Sequence, residues 1–143
     1  MNREKSVMEL SFDSYPENEQ FARTAVAAFL MDLNPTLDDL EDVKTAVSEA
    51  VTNALIHGYE KLPEGSGRVQ LRGEKAGRVV TVEISDQGKG IENIAQAMEP
   101  FFTTRPDMDR SGLGFSFMEE FMDEVHITSE VGRGTKVTLR KAL

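Results

Sequence analysis

Apolar and polar positions divide the chain into a helical first part and a strand-rich second part. Weak alternation over residues 7–13 predicts a strand, and helical periodicity predicts helices over about 17–33 and 36–58. Pro35 ends the first of these helices, and Thr36 is placed to cap the second. The first part therefore reads as a strand followed by two helices.

The second part alternates between strand patterns and short helical ones. It is predicted to contain strands at 69–74, 79–85, 125–131 and 135–143, a short helix near Glu92, a loop over 99–112 and a helix over about 114–123. This order fits an open sheet covered by helices on one face, which is an α+β sandwich.

Composition restricts what kind of protein this is. A chain of 143 residues with 39% hydrophobic content is expected to form a single domain spanning 1–143. It has no cysteine, which excludes disulfides and thiolate metal sites. The charged start MNREKSVMEL lacks a signal-peptide core, and no stretch approaches membrane-spanning length, so a cytoplasmic location is the expectation. A net charge of -9 argues against direct nucleic-acid binding.

The second predicted helix carries a polar stripe beside an apolar one. The apolar stripe has spacings of 4, 3 and 4 and is formed by Val43, Val47, Ala50 and Ala54. Glu49, Asn53 and His57 follow one another at intervals of four. Glu49 and Asn53 offer oxygen ligands suited to Mg²⁺. Two plainer readings stay open: Glu49 as a solvated helix residue, and His57 as a side chain that bonds the last helix carbonyls.

The stretch VEISDQGKGI combines a half-buried strand with an acid and two glycines. The strand leads directly into Asp86, which is followed by Gly88 and Gly90. An ordinary tight turn needs at most one acid and one glycine. Glycines at this spacing let the backbone approach a ligand closely.

A second glycine pair, Gly112 and Gly114, precedes the helix predicted at 114–123. Free N–H groups at a helix start can bind phosphate, although the same pair also suits an ordinary loop–helix junction. Arg105 and Arg110 lie in the loop before it, either as phosphate contacts or as solvated charges.

Taken in order, these elements resemble the GHKL ATPases and kinases. The N box is matched by Glu49, Asn53 and His57, and the first glycine box by Asp86, Gly88 and Gly90. The lid matches from Pro100-Phe101-Phe102, the second glycine box at Gly112-Leu113-Gly114, and a closing motif at Gly132-x-Gly134-Thr135. The resemblance covers nearly the whole chain and implies the Bergerat ATP-binding sandwich, with a mixed but mainly antiparallel sheet.

Within this group the chain is most similar to the small anti-sigma-factor serine kinases, their sporulation branch above all. The segments NEQFARTAVAAFL and TLDDLEDVKTAVSEAVTNALIHGYE carry this similarity, and no phosphoacceptor-histidine helix precedes them. The resemblance implies a protein that holds a sigma factor inactive and uses Mg-ATP to phosphorylate a serine of an anti-anti-sigma antagonist. It also implies a homodimer.

The resemblance also assigns roles to individual residues. Asp86 is expected to accept a hydrogen bond from the adenine amino group, with Thr135 assisting at the adenine end. Asn53 is expected to hold Mg²⁺, and Glu49 to act as general base toward the serine hydroxyl. The remaining expected nucleotide contacts are His57, Gly88, Gly90, Thr103, Thr104, Arg105, Arg110, Ser111, Gly112, Leu113 and Gly114.

The chain departs from many members of the group at one position. They carry a further glycine where this chain has Arg110, which implies a stiffer ATP lid, expected at about 97–112, or a side-chain phosphate contact in place of a backbone one.

The first predicted helix bears on partners. Its segment AVAAFLMDL is apolar almost all round, which fits either a helix covered by the core on two sides or a homodimer surface. Arg23, off the apolar side, is a candidate partner contact. Two rival functions stay open beside the sporulation kinase: a nucleotide-gated binding switch without phosphotransfer, which has no use for Glu49, and the related stress-response anti-sigma kinase.

Overall fold

Five antiparallel strands form one sheet in the computed structural model, which describes residues 5–59, 62–99 and 114–143. The strand order is β1-β2-β3-β5-β4. The strands are β1 (Ser6–Asp13), β2 (Arg68–Ala76), β3 (Val79–Asp86), β4 (Glu124–Glu130) and β5 (Gly134–Ala142). The helices are α1 (Asn18–Leu30), α2 (Leu37–Asn53), α3 (Ile94–Ala97) and α4 (Gly114–Phe121).

The core lies between one face of the sheet and the helices. From α2 it receives Val43, Val47 and Ala50, the stripe that the sequence predicted, and from β3 it receives Val80 and Val82. The residues that alternate with these along the strands are polar for the most part and lie on the other face. This confirms the predicted α+β sandwich with helices on one face of a mainly antiparallel sheet; all four strand pairings are antiparallel.

Two helix ends differ from the prediction. The first helix is α-helical only to Leu30 and tightens into a 3₁₀ turn (Met31–Leu33), which ends at Asn34 in a left-handed conformation (φ 49°). The second is α-helical to Asn53 and then widens into a π-helical turn (Ala54–Gly58). Apolar periodicity does not distinguish these variants, because segments of three and five residues are too short to show a period of their own. The predicted Thr36 cap is confirmed: its hydroxyl accepts a hydrogen bond from Asp39 N at 3.1 Å.

Two lysines of the sheet fasten the helix layer at one end of the strands. Lys75 Nζ donates to the carbonyl of Phe29 near the end of α1, at 2.8 Å. Lys141 Nζ donates to the carbonyl of Phe121 at the end of α4, also at 2.8 Å. Each lysine thereby satisfies a terminal helix carbonyl. The opposite ends of the strands are left to form the site.

The core covers α1 on one side only. Ala22, Val26 and Leu30 are fully buried, whereas Phe21 is 55% exposed and Met31, in the 3₁₀ turn that follows, is 52% exposed. A helix covered by the core on two sides is therefore not what forms, because the outer side of α1 has no covering element among the described residues.

Candidate functional site

One row of side chains runs across the inner face of the sheet and becomes polar at one side. Strand register places the following residues opposite one another, from β1 to β4: Phe12, Val69, Asp86, Thr135 and Ser129. The next two inner rows, which run from Leu10 to Ile127 and from Met8 to Val125, are apolar across most of the sheet. The polar end of this row is where the sequence placed the ligand.

A cavity of about 420 Å³ opens at this end of the sheet. Its polar lining includes four residues that the sequence singled out: Asn53, His57, Asp86 and Thr135. Its apolar lining, which sequence reasoning did not identify, includes Ala50, Ile84, Ile91, Phe115, Val131 and Val137. An apolar slot with a few polar groups at its floor suits a flat heteroaromatic base.

Asp86 is the buried acid of this cavity, with 9% of its surface exposed. Burial raises the pKa of its carboxyl group, although the backbone N–H groups of Gly88 and Thr135 act in the opposite direction. The Gly88 N–H donates to Asp86 Oδ1 at 2.9 Å. A half-buried strand thus delivers an acceptor to the cavity, and the local backbone holds it in place.

Close backbone packing explains the two glycines that follow. A Cβ added at Gly88 would lie 1.8 Å from the carbonyl oxygen of Gly58, and one at Gly90 would lie 2.3 Å from that of Glu130. Gly90 also has φ +77°, which favours glycine. Both positions lack room for a side chain, because other segments of the same polypeptide lie against them. The loop is therefore packed between the end of the N box and the β4–β5 turn.

The π-helical turn supplies the surface against which this loop packs. Lys89 N donates to the Gly58 carbonyl at 2.8 Å, and Lys89 O accepts from Gly132 N at 2.8 Å. The hydroxyl of Tyr59, the residue after Gly58, accepts from Gln87 N at 2.8 Å and donates to Arg68 O at 2.5 Å. Sequence reasoning missed Gly58 and Tyr59, since neither stands in the stripe of residues four apart.

Glu49 and Asn53 converge on the start of α4. A Cβ added at Gly114 would lie 3.2 Å from both Glu49 Oε2 and Asn53 Nδ2. Gly114 is buried, so its lack of a side chain lets both groups reach the helix start. The structure thus brings together the N box and one residue of the second glycine box.

The amide nitrogen of Asn53 is a buried donor without a hydrogen-bond partner. Within the described part of the chain, its Nδ2 is the one side-chain nitrogen or oxygen in this condition. Native structures leave few such groups, and an absent ligand is a common reason. No trio of acidic, histidine or cysteine side chains that could hold a metal occurs among the described residues. An amide beside a carboxylate fits Mg²⁺, which takes its other ligands from phosphate and water.

Thr135 has a hydroxyl partner that the sequence did not indicate. Ser129 Oγ lies 2.8 Å from Thr135 Oγ1 and 3.1 Å from Gly134 O, and it accepts from Ile91 N at 2.7 Å. No motif contains Ser129; only its alternation in β4, two residues beyond Ile127, indicates that it faces inward.

Several predicted contacts lie outside the described residues: Thr103, Thr104, Arg105, Arg110, Ser111, Gly112 and Leu113. Arg23, the candidate partner contact, lies 3.6 Å from Glu19, which also accepts a hydrogen bond from the Ser48 hydroxyl. Among the described helices, none has the length and apolar character needed to cross a bilayer.

Comparison with known proteins agrees with this geometry. Residues 12–141 match the family described as histidine kinase-like ATPase domain. The anti-sigma F factor of Clostridium beijerinckii is 55% identical over 134 residues, which are 94% of this chain and 92% of that protein. The anti-sigma F factor of Anoxybacillus flavithermus is 52% identical over 139 residues, 97% of this chain and 94% of that one.

A solved structure supports the fold alone. The RsbU and RsbW domains of a Mycobacterium tuberculosis protein match with a TM-score of 0.66 at 20% identity. The match covers 96% of this chain but only 32% of that one. The cavity built on Asp86 and Asn53, the family match and these relatives lead to one assignment: the chain belongs to the histidine kinase-like ATPase family and, within it, to the group whose members are named anti-sigma F factors.

Proposed function

We propose that this protein is an anti-sigma factor of sporulation that is also a serine kinase using Mg-ATP. It binds and inhibits a sigma factor, and it phosphorylates a serine of the anti-anti-sigma protein that would displace it. The names of relatives that are 55% and 52% identical support the sigma-factor partner. The observation that carries the kinase activity is the convergence of Glu49 and Asn53 on Gly114.

Asp86 is proposed to select adenine. The exocyclic amino group of adenine donates hydrogen bonds, and a buried carboxylate is an acceptor. Guanine presents a carbonyl oxygen at the same position, so that two acceptors would face each other. Because Asp86 is buried, the unmatched contact would be costly. Gly88 and Gly90 let the loop pack closely against Gly58 and Glu130, and Gly90 lines the cavity.

Asn53 is proposed to hold Mg²⁺ through its amide oxygen. When bound, this ion would neutralise phosphate charge and orient the phosphates. What supports the assignment is the Glu49 carboxylate beside this amide at the start of α4, while the unpartnered Nδ2 is a donor suited to a phosphate oxygen. Gly114 contributes a helix start beside it, where free N–H groups favour an anion.

Glu49 is proposed as the general base. Its carboxylate accepts the proton of the incoming serine hydroxyl while the serine oxygen bonds to the γ-phosphorus. The bond from that phosphorus to the bridging oxygen breaks, and ADP leaves. Glu49 and Asn53 lie one helical turn apart on α2, so a single rigid element holds both the base and the metal ligand.

The outer side of α1 is proposed as a homodimer surface. Phe21 on α1 and Met31 in the 3₁₀ turn that follows it are both more than half exposed, and no element among the described residues covers this side. Arg23 lies on the same helix and is a candidate contact with the sigma factor or the antagonist. We place the protein in the cytoplasm, in contact with neither membrane nor nucleic acid.

A binding switch without phosphotransfer is the second candidate. It would need Asn53 and the glycines, but no carboxylate at the phosphate end of the cavity. The position of Glu49 beside Asn53 favours the kinase over this switch. The stress-response kinase group is less well supported, because both relatives described above are anti-sigma F factors.

The deciding experiment incubates the protein with γ-labelled ATP and its antagonist, followed by localisation of the label. Glu49→Gln should lower phosphotransfer about a hundred- to ten-thousand-fold while sigma-factor binding in the presence of ATP persists. Glu119→Gln, an exposed carboxylate on α4, is the matched control and should transfer at the wild-type rate. Near wild-type transfer by Glu49→Gln would remove it as the base, and absence of transfer by the wild type would favour the switch.

A further inference from the structure

The hydroxyl groups of Ser129 and Thr135 form a pair at the polar end of the sheet. Their oxygens lie 2.8 Å apart, so one of the two hydroxyls donates to the other. Thr135 is also the strand partner of Asp86, which places its hydroxyl beside the carboxylate that is proposed to read adenine. The direction of this one hydrogen bond decides what Thr135 offers to the cavity.

The contacts of Ser129 restrict that direction. A serine hydroxyl has one proton and two lone pairs. The Ile91 N–H occupies one lone pair, at 2.7 Å. The Ser129 proton then has two available acceptors, Thr135 Oγ1 at 2.8 Å and Gly134 O at 3.1 Å.

The two arrangements give Thr135 opposite roles. If Ser129 donates to Gly134 O, Thr135 must donate to Ser129 and offers the cavity only lone pairs. If Ser129 donates to Thr135, the proton of Thr135 is free to point into the cavity. Ser129 is thus able to set the polarity of a neighbouring hydroxyl that lines the cavity, while it touches the glycine loop with the same oxygen.

Adenine suits the second arrangement. Next to its amino group lies N1, which is an acceptor, so a base whose amino group meets Asp86 needs a donor beside it. We propose that Ser129 is a specificity-determining positioning residue, which donates to Thr135 so that Thr135 donates toward N1 of adenine, directly or through one water. This inference rests on the proposed adenine site and adds to it a residue outside every motif.

Tyr59 provides a comparison within the same loop. Ser129 holds the Ile91 end of the glycine loop and also touches Thr135, whereas the Tyr59 hydroxyl holds the Gln87 end and donates to Arg68 O. Substitution of either residue should therefore loosen the glycine loop. A loss of N1 recognition should follow from changing Ser129 only.

The test measures the affinities of Mg-ATP and of Mg-1-deaza-ATP, in which a C–H replaces N1, by titration calorimetry. Ser129→Thr and Ser129→Val form the main pair, since they are nearly equal in size, suit a β-strand and differ in the hydroxyl. Wild type and Ser129→Thr should bind ATP about tenfold more tightly than 1-deaza-ATP. Ser129→Val should lose most of that difference.

Two controls separate loop effects from polarity effects. Tyr59→Phe should weaken both nucleotides by a similar factor and keep the ATP preference. Ser14→Ala removes a buried hydroxyl that accepts from Gly67 N at 2.9 Å. Ser14 follows β1, at the opposite edge of the sheet from Ser129 in β4, so this variant should leave both affinities unchanged.

The inference is overturned if Ser129→Val retains the wild-type preference for ATP, or if the wild type binds both nucleotides equally. In either case adenine binding itself would stand, provided that ATP still binds more tightly than GTP. Failure of the wild type to bind ATP at all would instead overturn the proposed function.

Discussion

Gly58 and Gly88 pack backbone against backbone: a Cβ added at Gly88 would lie 1.8 Å from the Gly58 carbonyl oxygen. One glycine ends the π-helical turn of the N box, and the other stands two residues after Asp86. The π-helical turn that continues the helix of Glu49 and Asn53 is thus in direct contact with the loop that is proposed to read the base. The proposed phosphate end and base end of the cavity would share one piece of backbone.

Gly88→Ala should disrupt this contact. The methyl group would meet a backbone atom, which cannot rotate away, so the loop or the π-helical turn must shift. We expect a loss of about 3 kcal/mol in the free energy of unfolding and a loss of ATP binding. Urea denaturation and calorimetry would measure both.

Gly77→Asn is the matched control for that variant. Gly77 has φ +59° and no atom within 4 Å of an added Cβ, and asparagine tolerates this conformation. It should lose less than about 1 kcal/mol and bind ATP normally. Equal effects of the two substitutions would show that the Gly58–Gly88 contact has no special role.

Asn53→Ala should separate function from stability. Because Asn53 Nδ2 is buried without a partner in the described structure, its removal should not lower the melting temperature of the nucleotide-free protein. Mg²⁺-dependent ATP binding should fall by at least tenfold, whereas Asn53→Asp, which keeps an oxygen ligand, should retain more of it. A large fall in melting temperature without nucleotide would indicate a structural amide instead.

Asp86→Asn should abolish the preference for ATP over GTP. The amide replaces an acceptor-only group by one that also donates, so a guanine carbonyl is no longer rejected. Competition between the two nucleotides for the variant would measure the change. An unaltered preference would remove Asp86 from base recognition.

The same variant should change how stability depends on pH. Burial raises the pKa of Asp86 above its usual 3.8, so protonation of this group favours the folded state. Its stabilising effect is fully present below 3.8 and is lost as pH rises through the higher pKa of the folded state. Without nucleotide, Asp86→Asn should therefore gain free energy of unfolding relative to wild type as pH rises across that interval. A difference independent of pH would contradict the assignment.

The outer side of α1 gives a prediction about assembly. Phe21→Glu and Met31→Lys each place a charge on a side chain that is already more than half exposed, so the fold should survive. Both should shift sedimentation toward the monomer if this side forms the dimer. Leu62→Lys, at a residue of similar exposure in the loop before β2, should not.

The elements that depend on local pattern were predictable from sequence. The apolar stripe of α2, the Thr36 cap and the arrival of Asp86 at the end of a strand follow from spacing and residue type. Ser129 and Tyr59 were not predictable, because their roles come from pairing and packing between segments far apart in the chain. Ser129 meets Ile91 across 38 positions, and Tyr59 meets Gln87 across 28.

The π-helical turn lies between these cases. Residues four apart predicted that Glu49, Asn53 and His57 share a helix face, which holds for the first two within α2. The wider winding begins after Asn53, where Gly58 must approach the loop of Gly88 closely. Such a departure from α-helical winding is set by the loop packed against the turn and not by the helix's own sequence.

Asp86 ends a strand that is paired on both sides, with Val69 on one and Thr135 on the other. Central strands usually exchange their amide hydrogens only when the whole domain unfolds, whereas edges and loops open locally. The proposed recognition of the base by Asp86 would therefore be lost only on global unfolding. Preference for one nucleotide should persist with rising temperature until the domain melts, while the contacts with phosphate can loosen earlier.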